Sequence, residues 1–132
     1  GFSKLVSVGN EADIALGEFT DMLVDDPHTK AILLFMETLR DAEHLARAGR
    51  RAYEIGKPIV AFKLGRSAIG QDCAASHTGA MAGSDELCDT FLKAHGILRV
   101  DHLETLFELP PMIMGKKPVK SHRVAIMSTT AS

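Results

Sequence analysis

Two apolar runs, "AILLFM" at 31–36 and "PIVAFKL" at 58–64, constrain this chain more than anything else in it. Neither alternates apolar with polar residues, so each suits a strand buried on both faces, the habit of parallel sheets. Between them Leu39, Ala42, Leu45, Ala46, Ala52 and Tyr53 recur at helical spacing. Thr38 with Asp41 offers an N-cap for that helix, and Gly56-Lys57-Pro58 offers its stop. The same alternation continues on either side. "KLVSV" at 4–8 reads as a strand, and Ala12, Ala15, Phe19, Met22 and Leu23 as the inner stripe of a helix over 12–24. "DDPHTK" at 25–30 is a turn in which Pro27 fixes φ and the aspartates bond their own backbone. After a Gly/Ser/Ala-rich loop, Ser84 caps a helix with Leu87, Cys88, Phe91 and Leu92 inward, stopped by Gly96. "ILRV" at 97–100 is a short strand, and Asp101 with Glu104 opens a last helix. Pro110-Pro111 and "MGKKPVKSH" read as a linker, and "RVAIMS" at 123–128 as a further strand. Strands alternating with helices specify βαβ units, an α/β doubly wound parallel sheet and right-handed crossovers.

The composition bounds the rest. At 132 residues, 45% hydrophobic but only 5% aromatic and without tryptophan, the chain is one domain with an aliphatic core. A net charge of −2 supplies no basic footprint for nucleic acid or an anionic membrane. No apolar run approaches the ~18–20 residues of a membrane span, and no signal peptide is present. Cys73 and Cys88 form no C-x-x-C pair, which fits a reduced, cytoplasmic protein. The chain opens on Gly-Phe-Ser and closes on a strand-like run, so both ends read as cuts in a longer polypeptide.

In a doubly wound sheet, ligands bind beyond the carboxyl ends of the strands. That rule brings Gly9, Asn10, Glu37, Gly65, Arg66 and Ser67 to one edge, and Gly65 to Ser67 open the loop that carries "AASHTGAMAGSDE", residues 74–86. His77 lies there among residues too small to cover it. Such residues let successive backbone N–H groups form an anion-binding concavity, and the helix that starts near Ser84 adds partial positive charge. An exposed imidazole beside an anion site suits phosphoryl chemistry, with histidine as the nucleophile that takes the group. A carboxylate on the far ring nitrogen would fix its tautomer. Glu37, which closes an apolar strand, is the candidate; equally, it could cap the helix that follows. His28, His44, His95, His102 and His122 read as solvated or capping residues.

Other chemistries fit less well. "ASHTG" is not the G-x-S-x-G elbow, Cys73 and His77 lack a second pair for zinc, and "GRSAIG" has neither dinucleotide nor P-loop spacing. A flavin site is disfavoured by the single tyrosine.

"GFSKLVSVGNEAD", "DDPHTKAILLFMETLRD", "KPIVAFKLGRS" and "SHTGAMAGSD", in this order, resemble the NDP-forming acyl-CoA synthetases, relatives of the succinyl-CoA synthetase α subunit. The resemblance implies a flavodoxin-like domain over 1–110 that lacks the family's first strand and helix, a linker over 111–122, and the first strand of a following domain over 123–132. It implies an acid–thiol ligase that interconverts acyl-CoA, phosphate and ADP with free acid, CoA and ATP through an acyl phosphate. His77 would carry the phosphoryl group, Glu37 would hold His77, and Ser76, Thr78 and Gly79 would line the phosphate pocket with the Gly65–Ser67 turn. CoA, ATP or ADP and Mg²⁺ would be substrates of the full enzyme, with no tightly bound cofactor and no metal site here. The implied partners are CoA-binding and ATP-grasp domains or subunits and a small acyl substrate, in an oligomer, with no nucleic acid or membrane. The contrasting expectation is a non-catalytic binding or assembly module of the same fold, as in protein acetyltransferase fusions; retention of His77 favours the ligase. A domain without its first strand also leaves a slot between 4–8 and 31–36, which "RVAIMS" is expected to fill, in its own chain or as a swapped strand in a neighbour's.

Overall fold

The computed structural model of the chain describes residues 1–65 and 85–116, with residues 125 and 127. Helix α1 spans Leu16–Asp25, strand β1 Ile32–Met36, helix α2 Ala42–Glu54 and strand β2 Ile59–Lys63. Helix α3 (Asp85–Ala94), strand β3 (Leu98–Val100) and helix α4 (Leu103–Ile113) complete the order. The three strands form one parallel sheet in the order β1-β2-β3, flanked by helices on both faces in the expected flavodoxin-like manner.

Side chains alternate between the faces of a strand, and the two cores follow from that. Ile32, Leu34 and Met36 of β1 with Ile59 and Ala61 of β2 meet Val24 of α1, Leu45, Ala48 and Ala52 of α2, and Cys88 and Leu92 of α3. On the opposite face Leu33, Val60, Phe62 and Val100 meet Leu106, Leu109 and Ile113 of α4. That second face is only partly covered: Phe35, stacked at 5.7 Å on Phe62, remains 52% exposed. β1 is therefore not buried on both faces as its apolar run implies, whereas β2 is close to it.

Several expectations are corrected. Residues 4–8 form no strand; they are exposed coil apart from half-buried Val8. A strand needs a ladder, and these residues pair with none. β1 pairs with β2 alone among the described residues, and a cavity of about 590 Å³ lies between 1–8, α1, β1 and α4. Most of 123–128 lies outside the described residues, but Ala125 and Met127 are exposed and belong to no strand, so neither is inserted in that slot. Asp41, not Thr38, caps α2: its carboxylate accepts from the His44 N–H at 3.2 Å. α4 continues through Pro110 and Pro111 to Ile113, where a linker was expected. The two prolines cannot donate to Leu106 and Phe107, yet Pro110 is buried and its carbonyl accepts from Met114 N–H at 2.9 Å.

The inner face of α1 also differs from the apolar stripe. The helix starts at Leu16, Met22 is 59% exposed, and Gly17, Thr20, Asp21 and Val24 are the buried positions. The partner decides this. α1 packs on α2 with Gly17 against the backbone of Asp41 and Leu45, and the Asp21 carboxylate takes Arg47 at 2.6 Å and Arg51 at 2.7 Å. At the other end of α1, the Lys57 ammonium donates to the carbonyls of Leu23, Val24 and Asp26, groups that a helix terminus leaves open.

Acid sensitivity follows from two of these carboxylates. Hydrogen bonds from Lys4 and Thr29 hold Asp26 well below the usual carboxylate range. For Asp21, burial opposes the charge, but the bonds from Arg47 and Arg51 outweigh it and its pKa is lowered. A pKa lower in the folded state gives stability that is present above the unfolded value, about 3.9, and lost as pH falls through the folded value. Unfolding midpoints measured from pH 7 downward should therefore drop below about pH 4. In Asp26→Asn the gap to wild type should close over that acid range. A gap that stays constant with pH would contradict the assignment.

Candidate functional site

The carboxyl ends of the strands define the edge where chemistry is expected. Met36 is register partner of Lys63, and Leu64 N–H donates to Met36 carbonyl at 2.9 Å. Glu37 and Leu64 thus leave adjacent strands side by side. Gly65 follows with φ +79°, a left-handed conformation natural only to glycine, and turns the chain off the sheet into the 66–84 connection.

Glu37 is half-buried. The alternative role, capping α2, belongs to Asp41 instead. Among the described residues no hydrogen bond or ion pair engages the Glu37 carboxylate. It lines a cavity of about 450 Å³ with Gly9, Asn10, Thr38 and Arg40. The strand-end rule had assigned Gly9 and Asn10 to this edge, and they are here although the strand before them is not. Arg40 donates to the Asn10 carbonyl at 3.0 Å and ties that segment to the turn after β1. The expected His77, Ser76, Thr78, Gly79, Arg66 and Ser67 lie outside the described residues.

A second polar cluster was not foreseen. Lys63 ends β2 with its side chain 3% exposed, and Arg99 on β3 is 5% exposed. Arg99 Nη2 donates to Asp85 Oδ1 at 2.6 Å and Nη1 to the Asp85 carbonyl at 3.3 Å. Lys63 Nζ is 3.6 Å from the same Oδ1, and Asp89 Oδ1 is 3.6 Å from Arg99 Nη1. Burial works against the charge on Arg99, but the hydrogen bond and charge of Asp85 prevail and raise its pKa. Burial pushes the Cys88 thiol up, against the pull of Lys63 and Arg99. The signal in the sequence was a cation inside each of two apolar strands, "PIVAFKL" and "ILRV".

Residues 1–113 match the family model described as succinyl-CoA ligase like flavodoxin domain. The chain is 36% identical over 128 residues to an ADP-forming acetate–CoA ligase of Methanocaldococcus jannaschii, covering 97% of this chain and 18% of that protein. It is 34% identical to the α subunit of ADP-forming acetate–CoA ligase II from Pyrococcus furiosus, covering 97% of this chain and 28% of the relative. It thus spans under a third of the length of either. Among solved structures, it resembles a dinucleotide-forming acetyl-coenzyme A synthetase 1 from Ca. Korarchaeum cryptofilum, in complex with phosphate and ADP. There the TM-score is 0.78 at 31% identity, over 89% of this chain and 26% of that one. Among the described residues no helix is long and apolar enough to cross a membrane.

Proposed function

The chain belongs to the NDP-forming acyl-CoA synthetases through their succinyl-CoA-ligase-like flavodoxin domain, and from that premise we propose that it is the phosphoryl-relay domain of a larger acid–CoA ligase. In the proposed sequence, phosphate displaces CoA from acyl-CoA and leaves an acyl phosphate. A ring nitrogen of His77 attacks its phosphorus, the acid leaves as carboxylate, and the phosphohistidine passes the group to a β-phosphate oxygen of ADP. Mg²⁺ enters with the nucleotide. CoA-binding and ATP-grasp domains or subunits supply the other two sites. Ser76, Thr78 and Gly79, with the Gly65–Ser67 turn, line the phosphate pocket, and the residues that follow α4 link to a following domain that begins at 123–132.

The observation that carries this reading is Glu37: a half-buried carboxylate, free of the capping role, at the strand end beside the exit of the connection that holds His77. In this reading it accepts from the far ring nitrogen and stabilises the positive charge that develops as His77 is phosphorylated. The test is incubation of the full-length protein with γ-labelled ATP and Mg²⁺. Acid-labile, base-stable label on wild type is expected, and its rate of appearance should fall at least ~10²-fold in Glu37→Gln. An active protein that takes no label is a different enzyme. Labelling of Glu37→Gln at the wild-type rate would remove Glu37 from the relay.

A further inference from the structure

The Lys63–Asp85–Arg99 cluster has no place in the relay as described, and its composition is costly. Buried ion pairs lose much of their attraction to desolvation, and apolar residues of similar volume often serve stability as well. Among the described residues the Arg99 Nε–H is also buried without an acceptor. What the cluster supplies, and an apolar one cannot, is directional attachment. Lys63 is the last residue of β2 and its ammonium donates to the Leu64 carbonyl at 3.0 Å. Asp85 is the first residue of α3. Arg99 is register partner of Ala61 on the neighbouring strand, on the side of the sheet that Lys63 shares. One carboxylate oxygen, Asp85 Oδ1, therefore meets cations from both strands. These contacts fasten the chain where it leaves the sheet after β2 to the place where it returns as α3.

We propose that Lys63, Asp85 and Arg99 are positioning residues that fix both stems of the 66–84 connection and so set the alignment of the phosphoryl-accepting histidine; this rests on the reading of His77 above. Misalignment of a reacting group by about 1 Å can cost ~10²-fold in rate. A residue that only supports the fold would lower the fraction of active protein and leave the rate per active site unchanged.

The experiment uses the full-length enzyme. Wild type, Arg99→Met and Arg99→Lys are phosphorylated with labelled ATP, and single-turnover transfer from the phosphoenzyme to ADP is timed. Rates are normalised to the phosphohistidine formed. The expected result is a transfer rate constant ~10–100-fold lower in Arg99→Met, an intermediate value in Arg99→Lys, and calorimetric affinities for CoA and ADP within about twofold of wild type, since neither ligand is proposed to touch Arg99. If Arg99→Met does not fold, Asp85→Asn, which keeps size and an acceptor oxygen, is read in its place. A folded variant whose phosphohistidine discharges at the wild-type rate overturns the positioning role. Wild type that takes no label overturns the relay, and with it this inference.

Discussion

Replacing His77 with asparagine in the full-length enzyme is expected to reduce overall ligase turnover to background while leaving the fold intact. Asparagine is close in size and polarity but cannot carry a phosphoryl group. The histidine stands among Ala, Ser, Thr and Gly in the sequence, so the expected cost to stability is that of a surface-type change, within about 0.5 kcal/mol. One partial reaction should survive. Attack of phosphate on acyl-CoA precedes the histidine in the proposed sequence, so CoA should still be released from acyl-CoA in the presence of phosphate, up to one equivalent of acyl phosphate per site. The measurement is a coupled assay of ATP formation beside a thiol assay of CoA release. Sustained ATP formation by the variant would exclude His77 from the relay. Loss of both activities with an unchanged melting temperature would move its role to the earlier step.

Gly49→Ala should destabilise the chain, although helix propensity alone forecasts the reverse. Gly49 lies inside α2, where alanine is favoured over glycine by about 1 kcal/mol. A Cβ at this position would meet the His95 carbonyl oxygen at 2.4 Å, with His95 Cβ and Ile97 Cγ1 at 3.2 Å. The obstacle is backbone just beyond the end of α3, so no side-chain rotation relieves it. Forcing α2 away from Ile97 and Leu92, both fully or nearly buried, is overpacking of the kind that costs about 1–3 kcal/mol or more. We expect a net loss of about 2 kcal/mol in urea unfolding. Arg50→Ala, one residue on and exposed, should stay within about 0.5 kcal/mol of wild type. A stabilised Gly49→Ala would mean that α2 and α3 do not pack this closely.

Gly17 and Gly49 are both buried in helices, where propensity alone counts glycine as unfavourable. They are the points of closest approach between elements. The candidate site divides in the same way. The position of Glu37 after β1 and the exit of the connection after β2 were legible, because strand direction and the side of helical crossovers leave no other edge for them. That Glu37 does not cap α2 was not legible. Thr38 and Asp41 are both competent caps, and only the observed start of the helix at Ala42 selects between them.

The class of the fold and the order of its elements from α1 to α4 were legible in the sequence alone. Unbroken apolar runs can be satisfied only between layers, and the runs at 31–36 and 58–64 became the parallel pair β1 and β2. It could not determine which face of α1 turns inward. Phe19, Met22 and Leu23 lie at helical spacing, yet Thr20 and Asp21 are buried, because α2 offers Arg47 and Arg51 at that contact. Nor could it determine that 4–8, patterned like a strand, would remain unpaired. Apolar pattern is local and travels with the residues, whereas a ladder partner, an ion-pair partner or a 2.4 Å approach belongs to another part of the chain. Those are decided only when the elements meet.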